Sequence, residues 1–183
     1  MISLTAGQIE AWMAAYLWPL IRIGACLMVA PIFGARFVPG RSKIILAGAI
    51  TLLVAPLLPA MPDVSPLSGP GLVITVQQLI IGAAIGFVLQ IVFDALAMGG
   101  QLLANTMGLS FAFNVDPLRG ASAPVVGQFY TLVATLTFLA LNGHVAIIQV
   151  LVDGFRDLPV GTVGLGSDGY WQIVLWGSTL FRG

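Results

Sequence analysis

Few side chains in this sequence could do covalent chemistry, and none has the neighbours such chemistry needs. His144 is the single histidine, in LNGHVAII, with no Cys, His or carboxylate at ligand spacing. A packing or helix-start role is expected of it rather than metal ligation. Ser110 has no base evident in the sequence, and no nucleophile elbow, Walker motif or paired carboxylates occur. Cys26 is the single cysteine and lies in an apolar run, so it forms no intrachain disulfide and reads as a small buried hydrophobe. The glycines of DLPVGTVGLGSDG at 157–169 read GxxGxG rather than GxGxxG, and no strand pattern precedes them. That order does not build a nucleotide cradle. No enzyme, metal site or cofactor is expected.

The polar residues that stand out lie inside apolar runs, where their chemistry is hydrogen bonding and solvation. Arg22 sits near the middle of a long apolar segment, where an ionised side chain facing lipid costs ~2.5–3.5 kcal/mol or more. It must face protein, water or a carboxylate. Asp94, Gln77, Gln78, Gln90, Gln101 and Asn105 call for an interior in the same way and predict a large, polar-lined assembly. The stretch GLSFAFNVDPLRGASAP at 108–124 sets Phe111 and Phe113 beside Asn114, Asp116, Pro117 and Arg119, where an apolar helix would otherwise run on.

The elements that hold these residues are set by composition. Of 183 residues, 58% are hydrophobic and 8% charged. Mean hydropathy is +1.03. Soluble domains carry roughly 25% charged residues, so this is a membrane-associated chain. Seven basic and seven acidic residues cancel, which leaves no basic field for nucleic acid. The N-terminus has Glu10 and no basic residue before Arg22, unlike a secretory signal.

Apolar stretches run over residues 12–35, 44–61, 72–93, 95–113 and 125–152, each near or above the ~18–20 that span a hydrocarbon core as a helix. Another begins near 170 and stops at the chain end, as expected of a fragment. The expected organisation is one helical membrane domain over 1–183, truncated at its C-terminus. FGARFVPGRSK at 33–43 carries Arg36, Arg41 and Lys43, and the positive-inside rule puts it in the cytoplasm. Trp12, Tyr16 and Trp18 then form an aromatic group at the outer end of the first segment. PLLPAMPDVSPLSGPG at 56–71 holds five prolines and predicts an ordered turn or extended loop. Asp94 predicts a turn between the third and fourth segments. Gly82 and Gly86 form a GxxxG pair, and Gly100, Ala104 and Gly108 continue a small residue at every fourth position, the spacing that lets another helix approach closely.

The stretches WPLIRIGACLMVAPIFG at 18–34, QQLIIGAAIGF at 77–87, MGLSFAFNVDP at 107–117, PVVGQF at 124–129, LNGH at 141–144 and DGFRDLPVG at 153–161 follow one another along the whole chain. In that order they resemble the FliR family of flagellar biosynthetic proteins. The resemblance implies an all-α fold of polytopic, membrane-associated helical hairpins. It also implies a subunit of the type III export gate of FliP/FliQ/FliR type, at the flagellar basal body in the bacterial inner membrane. The hairpins of that family form a cone raised above the bilayer, which conflicts with the topology drawn from charge. The implied partners are FliP-like and FliQ-like gate subunits, FlhB-like and FlhA-like export proteins, unfolded flagellar substrates and membrane lipid.

The resemblance also gives the interrupting stretch a role, that of a plug in the export pore. Met107, Gly108, Leu109, Ser110, Phe111, Ala112, Phe113, Asn114, Val115, Asp116, Pro117 and Gly120 form it. A conduit for unfolded polypeptide needs an apolar, deformable constriction without fixed binding sites. The phenylalanines and Met107 supply soft bulk, the glycines freedom, and Pro117 stops the helix. Gly82, Gly86, Gly100 and Ala104 are then helix-packing positions, and Arg22 and Asp94 buried polar groups of the assembly. A virulence injectisome would use an equivalent subunit. A small-molecule transporter would be expected to show internal inverted repeats, and none is evident.

Overall fold

The computed structural model describes residues 6–34, 38–59, 61–62, 64–108 and 125–161. Among them every regular element is helical: α1 (Ala6–Val29), α2 (Gly40–Val54), α3 (Gly69–Thr106), α4 (Val125–Ala140) and α5 (Gly143–Asp157), with one 3-10 turn at Ala55–Leu57. Three of these are long and apolar enough to cross a membrane, over Trp12–Val29, Gly40–Leu57 and Gly69–Thr106; a bent α4–α5 pair makes a fourth if counted as one span. This is a polytopic helical membrane protein.

The helix ends follow local chemistry. After α1 the chain turns through Pro31 and through Ile32, whose φ of 72° lies in the left-handed region, uncommon for a β-branched residue. Gly34 closes the turn, its N–H donating to Ala30 O at 2.8 Å. A Cβ on Gly34 would lie 2.6 Å from Met28 O, so the position takes no side chain without rearrangement. Pro56 ends α2, leaving the 3-10 turn. Ser68 starts α3: its Oγ accepts the Gly71 N–H at 3.2 Å, a side-chain N-cap.

Two expected segment boundaries move. Asp94 does not make a turn; α3 runs unbroken for 38 residues. The Asp94 carboxylate accepts a hydrogen bond from Gln90 Nε2, one turn earlier, at 2.9 Å. An i,i+4 pair supports a helix instead of ending it, and no Gly or Pro adjoins it to do so. The stretch 125–152, expected as one helix, breaks at Leu141–Asn142, where Asn142 has φ 57°. Asn is among the few non-glycine residues that enter the left-handed region readily. Its carbonyl then accepts the Val145 N–H at 2.9 Å and begins α5.

The chain divides into two compact units. The first holds residues up to 88 and from 148 onward. Its core contains Trp18, Ile23, Cys26, Ile74, Leu151 and Phe155, all at most 1% exposed. α2 turns Ala47, Ile50, Thr51 and Val54 inward, spaced three and four apart, so that they share one face. Trp12 and Tyr16 are exposed while Trp18 is fully buried. The expected three-residue aromatic group therefore reduces to a pair, because Trp12 and Tyr16 lie one turn apart and Trp18 falls on the opposite face. The second unit, residues 89–147, packs Phe93 edge-to-face on Phe138 with ring centroids 5.7 Å apart.

In the first unit α3 meets α1 backbone to backbone. A Cβ added at Gly82 would collide with Arg22 O, and one at Gly86 would lie 2.6 Å from Cys26 O and 3.0 Å from Ala30 N. Gly48, on α2, has nothing within 4 Å. Gly82→Ala and Gly86→Ala should therefore each destabilise the protein by ~1–3 kcal/mol through overpacking. Gly48→Ala should be neutral or slightly stabilising, as helix propensity favours Ala by ~1 kcal/mol. Thermal unfolding of the three variants in one detergent checks the contrast.

Candidate gating and assembly site

Arg22 is fully buried. It reaches from α1 to the C-terminal end of α5, where Nη1 donates to Gly154 O and Nη2 to Leu158 O, both at 2.9 Å. These carbonyls belong to the last turn of α5 and the residue beyond it, where the helix dipole is negative and acceptors keep lone pairs free. Gly154 and Leu158 are themselves linked, the Leu158 N–H donating to Gly154 O at 3.0 Å. The guanidinium also lies over the Phe155 ring, 4.1 Å from its centroid. The planar fork of Arg can serve two acceptors and a ring face together, which the point charge of Lys cannot. Nε has no partner among the described residues.

The other polar residues singled out in the sequence fall into two groups. Gln77 and Gln78 are buried in the first unit, at 6% and 1% exposure. Gln90, Asp94, Gln101 and Asn105 lie on α3 in the second unit, Asp94 and Asn105 fully at the surface and the two glutamines half-buried. Gln101 Nε2 donates to Asn105 Oδ1 at 3.3 Å.

Of the small residues, Gly82 and Gly86 stand on the α1–α3 seam described above. Gly100 lies under Tyr130 of α4, where an added Cβ would come within 2.7 Å of the ring, and Ala104 is 2% exposed. The sequence spacing identified these residues as small; it did not show that Gly82 and Gly86 face α1 while Gly100 faces α4.

Met107 and Gly108 follow α3 as a turn. Met107 is 71% exposed, and Gly108 has φ 73°, a conformation that suits glycine. Leu109, Ser110, Phe111, Ala112, Phe113, Asn114, Val115, Asp116, Pro117 and Gly120 lie outside the described residues. His144 is the second residue of α5, half-buried, its Nδ1 without a partner among the described residues. Cys26 is a buried free thiol.

The sequence pointed to Arg22 but not to Gly154, Phe155 or Leu158, because carbonyl acceptors carry no side-chain signature. Replacing Arg22 with Leu strips two charge-assisted hydrogen bonds and leaves Gly154 O only its bond from the Leu158 N–H, which should cost ~2–4 kcal/mol. Arg22→Lys should recover part of this, and Phe155→Leu should lose ~1–2 kcal/mol of cation–π attraction. Protease resistance and thermal unfolding in detergent should rank the proteins wild type, Phe155→Leu, Arg22→Lys, Arg22→Leu. Equal stability of Arg22→Leu and wild type would show that the buried arginine does not hold α5.

Comparison with known proteins fits this helical membrane architecture. Residues 13–183 match the family of bacterial export proteins, family 1. The flagellar biosynthetic protein FliR of Escherichia coli (strain K12) is 41% identical over 181 residues, 99% of this chain and 69% of that protein. FliR of Pectobacterium carotovorum subsp. carotovorum is 35% identical over 182 residues, with the same two coverages. FliR of Buchnera aphidicola subsp. Acyrthosiphon pisum (strain APS) is 31% identical over 183 residues, 99% of this chain and 70% of that protein. An apolar chain of long helices that matches one export family over nearly its whole length, and aligns over 99% of itself with these relatives, belongs to the bacterial export proteins, family 1, and within it to the FliR family.

Proposed function

We propose that this chain is a subunit of the flagellar protein export gate in the bacterial inner membrane. There it forms, with FliP-like and FliQ-like subunits, the channel that passes unfolded flagellar proteins. FlhB-like and FlhA-like export proteins are its further neighbours, and no catalytic step is assigned to it. The relatives it aligns with are flagellar biosynthetic proteins, which supports a place in the flagellar export apparatus.

The observation that carries the reading is the arrangement around the interrupting stretch. α3 ends at Thr106, Met107 stands exposed, Gly108 turns left-handed, and α4 begins at Val125. Two apolar helices thus bracket a phenylalanine-bearing segment. A pore that admits varied side chains yet blocks ions when idle needs soft apolar groups on a deformable tether, since an apolar constriction seals by excluding water. In this reading residues 107–120 are the plug, and Phe111 and Phe113 are its bulk.

The extensive apolar surface also supports an assembled rather than solitary protein. Ile45, Leu53, Leu72, Phe87, Met98 and Phe129 are each at least 56% exposed. Exposed large apolar side chains in such number on each unit mark contact with lipid or protein partners.

If residues 107–120 close the pore, replacing Phe111 and Phe113 with Gly, or shortening the segment, should leave assembly intact and raise ion conductance. The check is conductance across membranes carrying equal amounts of purified wild-type and variant complex. Export should persist, since a seal is not a binding site. Equal, near-zero conductance in both would leave the segment as a connector.

A further inference from the structure

The second half of α3 is divided lengthwise into three strips. At ~100° per residue, Gln90, Asp94, Gln101 and Asn105 fall within an arc of about 60°. On one side of them lie Phe93, Gly100 and Ala104, buried in the second unit. On the other side, and around the back, lie Ile91, Val92, Leu96, Met98, Leu102 and Leu103, all exposed and apolar. The polar strip is thus narrow, made of two pairs, Gln90–Asp94 and Gln101–Asn105, with Ala97 and Met98 beside the gap between them, and set between a packed face and an apolar one.

The strip is incompletely satisfied by its own hydrogen bonds. Gln90 Nε2 donates to Asp94 Oδ1 at 2.9 Å and Gln101 Nε2 to Asn105 Oδ1 at 3.3 Å. Each glutamine keeps a second N–H, Asn105 keeps both of its own, and Asp94 keeps several lone pairs. Gln101 Oε1 is buried without a partner among the described residues. No Lys or Arg occurs among the described residues of this unit to meet the Asp94 charge. Against lipid such a strip would be costly, and a dry helix contact would have to satisfy every one of these groups. Water can meet the exposed donors and acceptors of Gln90, Asp94 and Asn105 and the free N–H of Gln101, whatever the buried Gln101 Oε1 faces.

We propose that Gln90, Asp94, Gln101 and Asn105 form part of the wetted wall of the export path, along which the backbone of an unfolded polypeptide slides. The proposal rests on the export-gate reading above and names the surface that the substrate touches. Primary amides offer both donors and acceptors to any peptide group, whatever side chain it carries. Each such contact exchanges readily with water, so the wall holds no sequence tightly. One carboxylate adds a weak preference for basic segments. The strip runs toward Met107 and Gly108, so the wetted wall leads to the base of the proposed plug.

The test uses the complete export complex, purified in detergent so that both ends of the path are open to reagent. Single cysteines are placed on the strip (Gln90→Cys, Asp94→Cys, Gln101→Cys, Asn105→Cys) and on the apolar face (Val92→Cys, Leu96→Cys, Leu103→Cys), with buried Cys26 as internal reference. A small charged thiol reagent reads hydration, because the thiolate that reacts forms in water and not in hydrocarbon. Strip cysteines should react about tenfold faster than apolar-face cysteines. Stalling an export substrate fused to a tightly folded domain should slow the strip cysteines alone.

Equal rates on the two faces, or strip rates indifferent to the stalled substrate, overturn the proposal. So does loss of the complex on Asp94→Asn, since that would mean a partner subunit's cation pairs with Asp94. If the complex assembles and exports while the strip is unreactive, this inference falls and the export-gate reading stands. If the chain does not co-purify with FliP-like and FliQ-like subunits, and export continues without it, the reading itself falls.

Discussion

A guanidinium removed from water must find acceptors for its protons, and Arg22 finds them in the backbone at the end of α5. That requirement links elements far apart in the chain, since the acceptors lie 132 and 136 residues beyond the donor. The first unit consequently includes both early and late segments. Carbonyls at a helix C-terminus suit this task, because they sit at the negative end of the dipole and have lone pairs to spare, Gly154 O accepting from both Leu158 N–H and Arg22. The Phe155 ring covers the face of the cation that the carbonyls leave open. A charge unfavourable in hydrocarbon thereby becomes a specific clasp.

The clasp depends on the close approach of α3 to α1. Gly82 lies against the carbonyl of Arg22 itself, so the helix that carries the arginine is seated by the residue with no side chain. Four residues on, Gly86 repeats the contact at Cys26. Without side chains between them the two backbones come close enough for dispersion to act over a long seam, which in a membrane replaces the missing hydrophobic drive between helices. The second unit uses the same device differently: Gly100 makes room for the ring of Tyr130 rather than for a backbone.

The outward faces show what the single chain leaves undone. α2 buries one face and leaves Ile44, Ile45, Leu52 and Leu53 exposed. On α3 the exposed surface is apolar apart from scattered hydroxyls and one narrow strip of amides. A helix in uniform lipid has no use for such a strip, so its surroundings differ from one side to the other. That asymmetry is what an assembly with a wet interior and an apolar exterior requires.

Helical and membrane character were legible in composition and apolar run length, because burying backbone hydrogen bonds in lipid leaves helices as the economical choice. The family was legible too, in six stretches held in a fixed order. Segment boundaries were less so: Asp94 looks like a turn until Gln90 supplies its donor, and Asn142 breaks a run that hydropathy alone would continue. The sequence marked Arg22 as a residue in need of partners, and tertiary structure alone decided that these are Gly154 and Leu158. Likewise, spacing showed that Gly82, Gly86, Gly100 and Ala104 are small, while packing determined that Gly82 and Gly86 meet α1, Gly100 meets α4, and Ala104 is buried. The polar residues of the apolar runs divided in the same way, Gln77 and Gln78 inward and Gln90, Asp94, Gln101 and Asn105 along one strip of α3. A sequence records which groups each residue brings, whereas partner and exposure are relations between residues distant in the chain, and only the folded packing sets them.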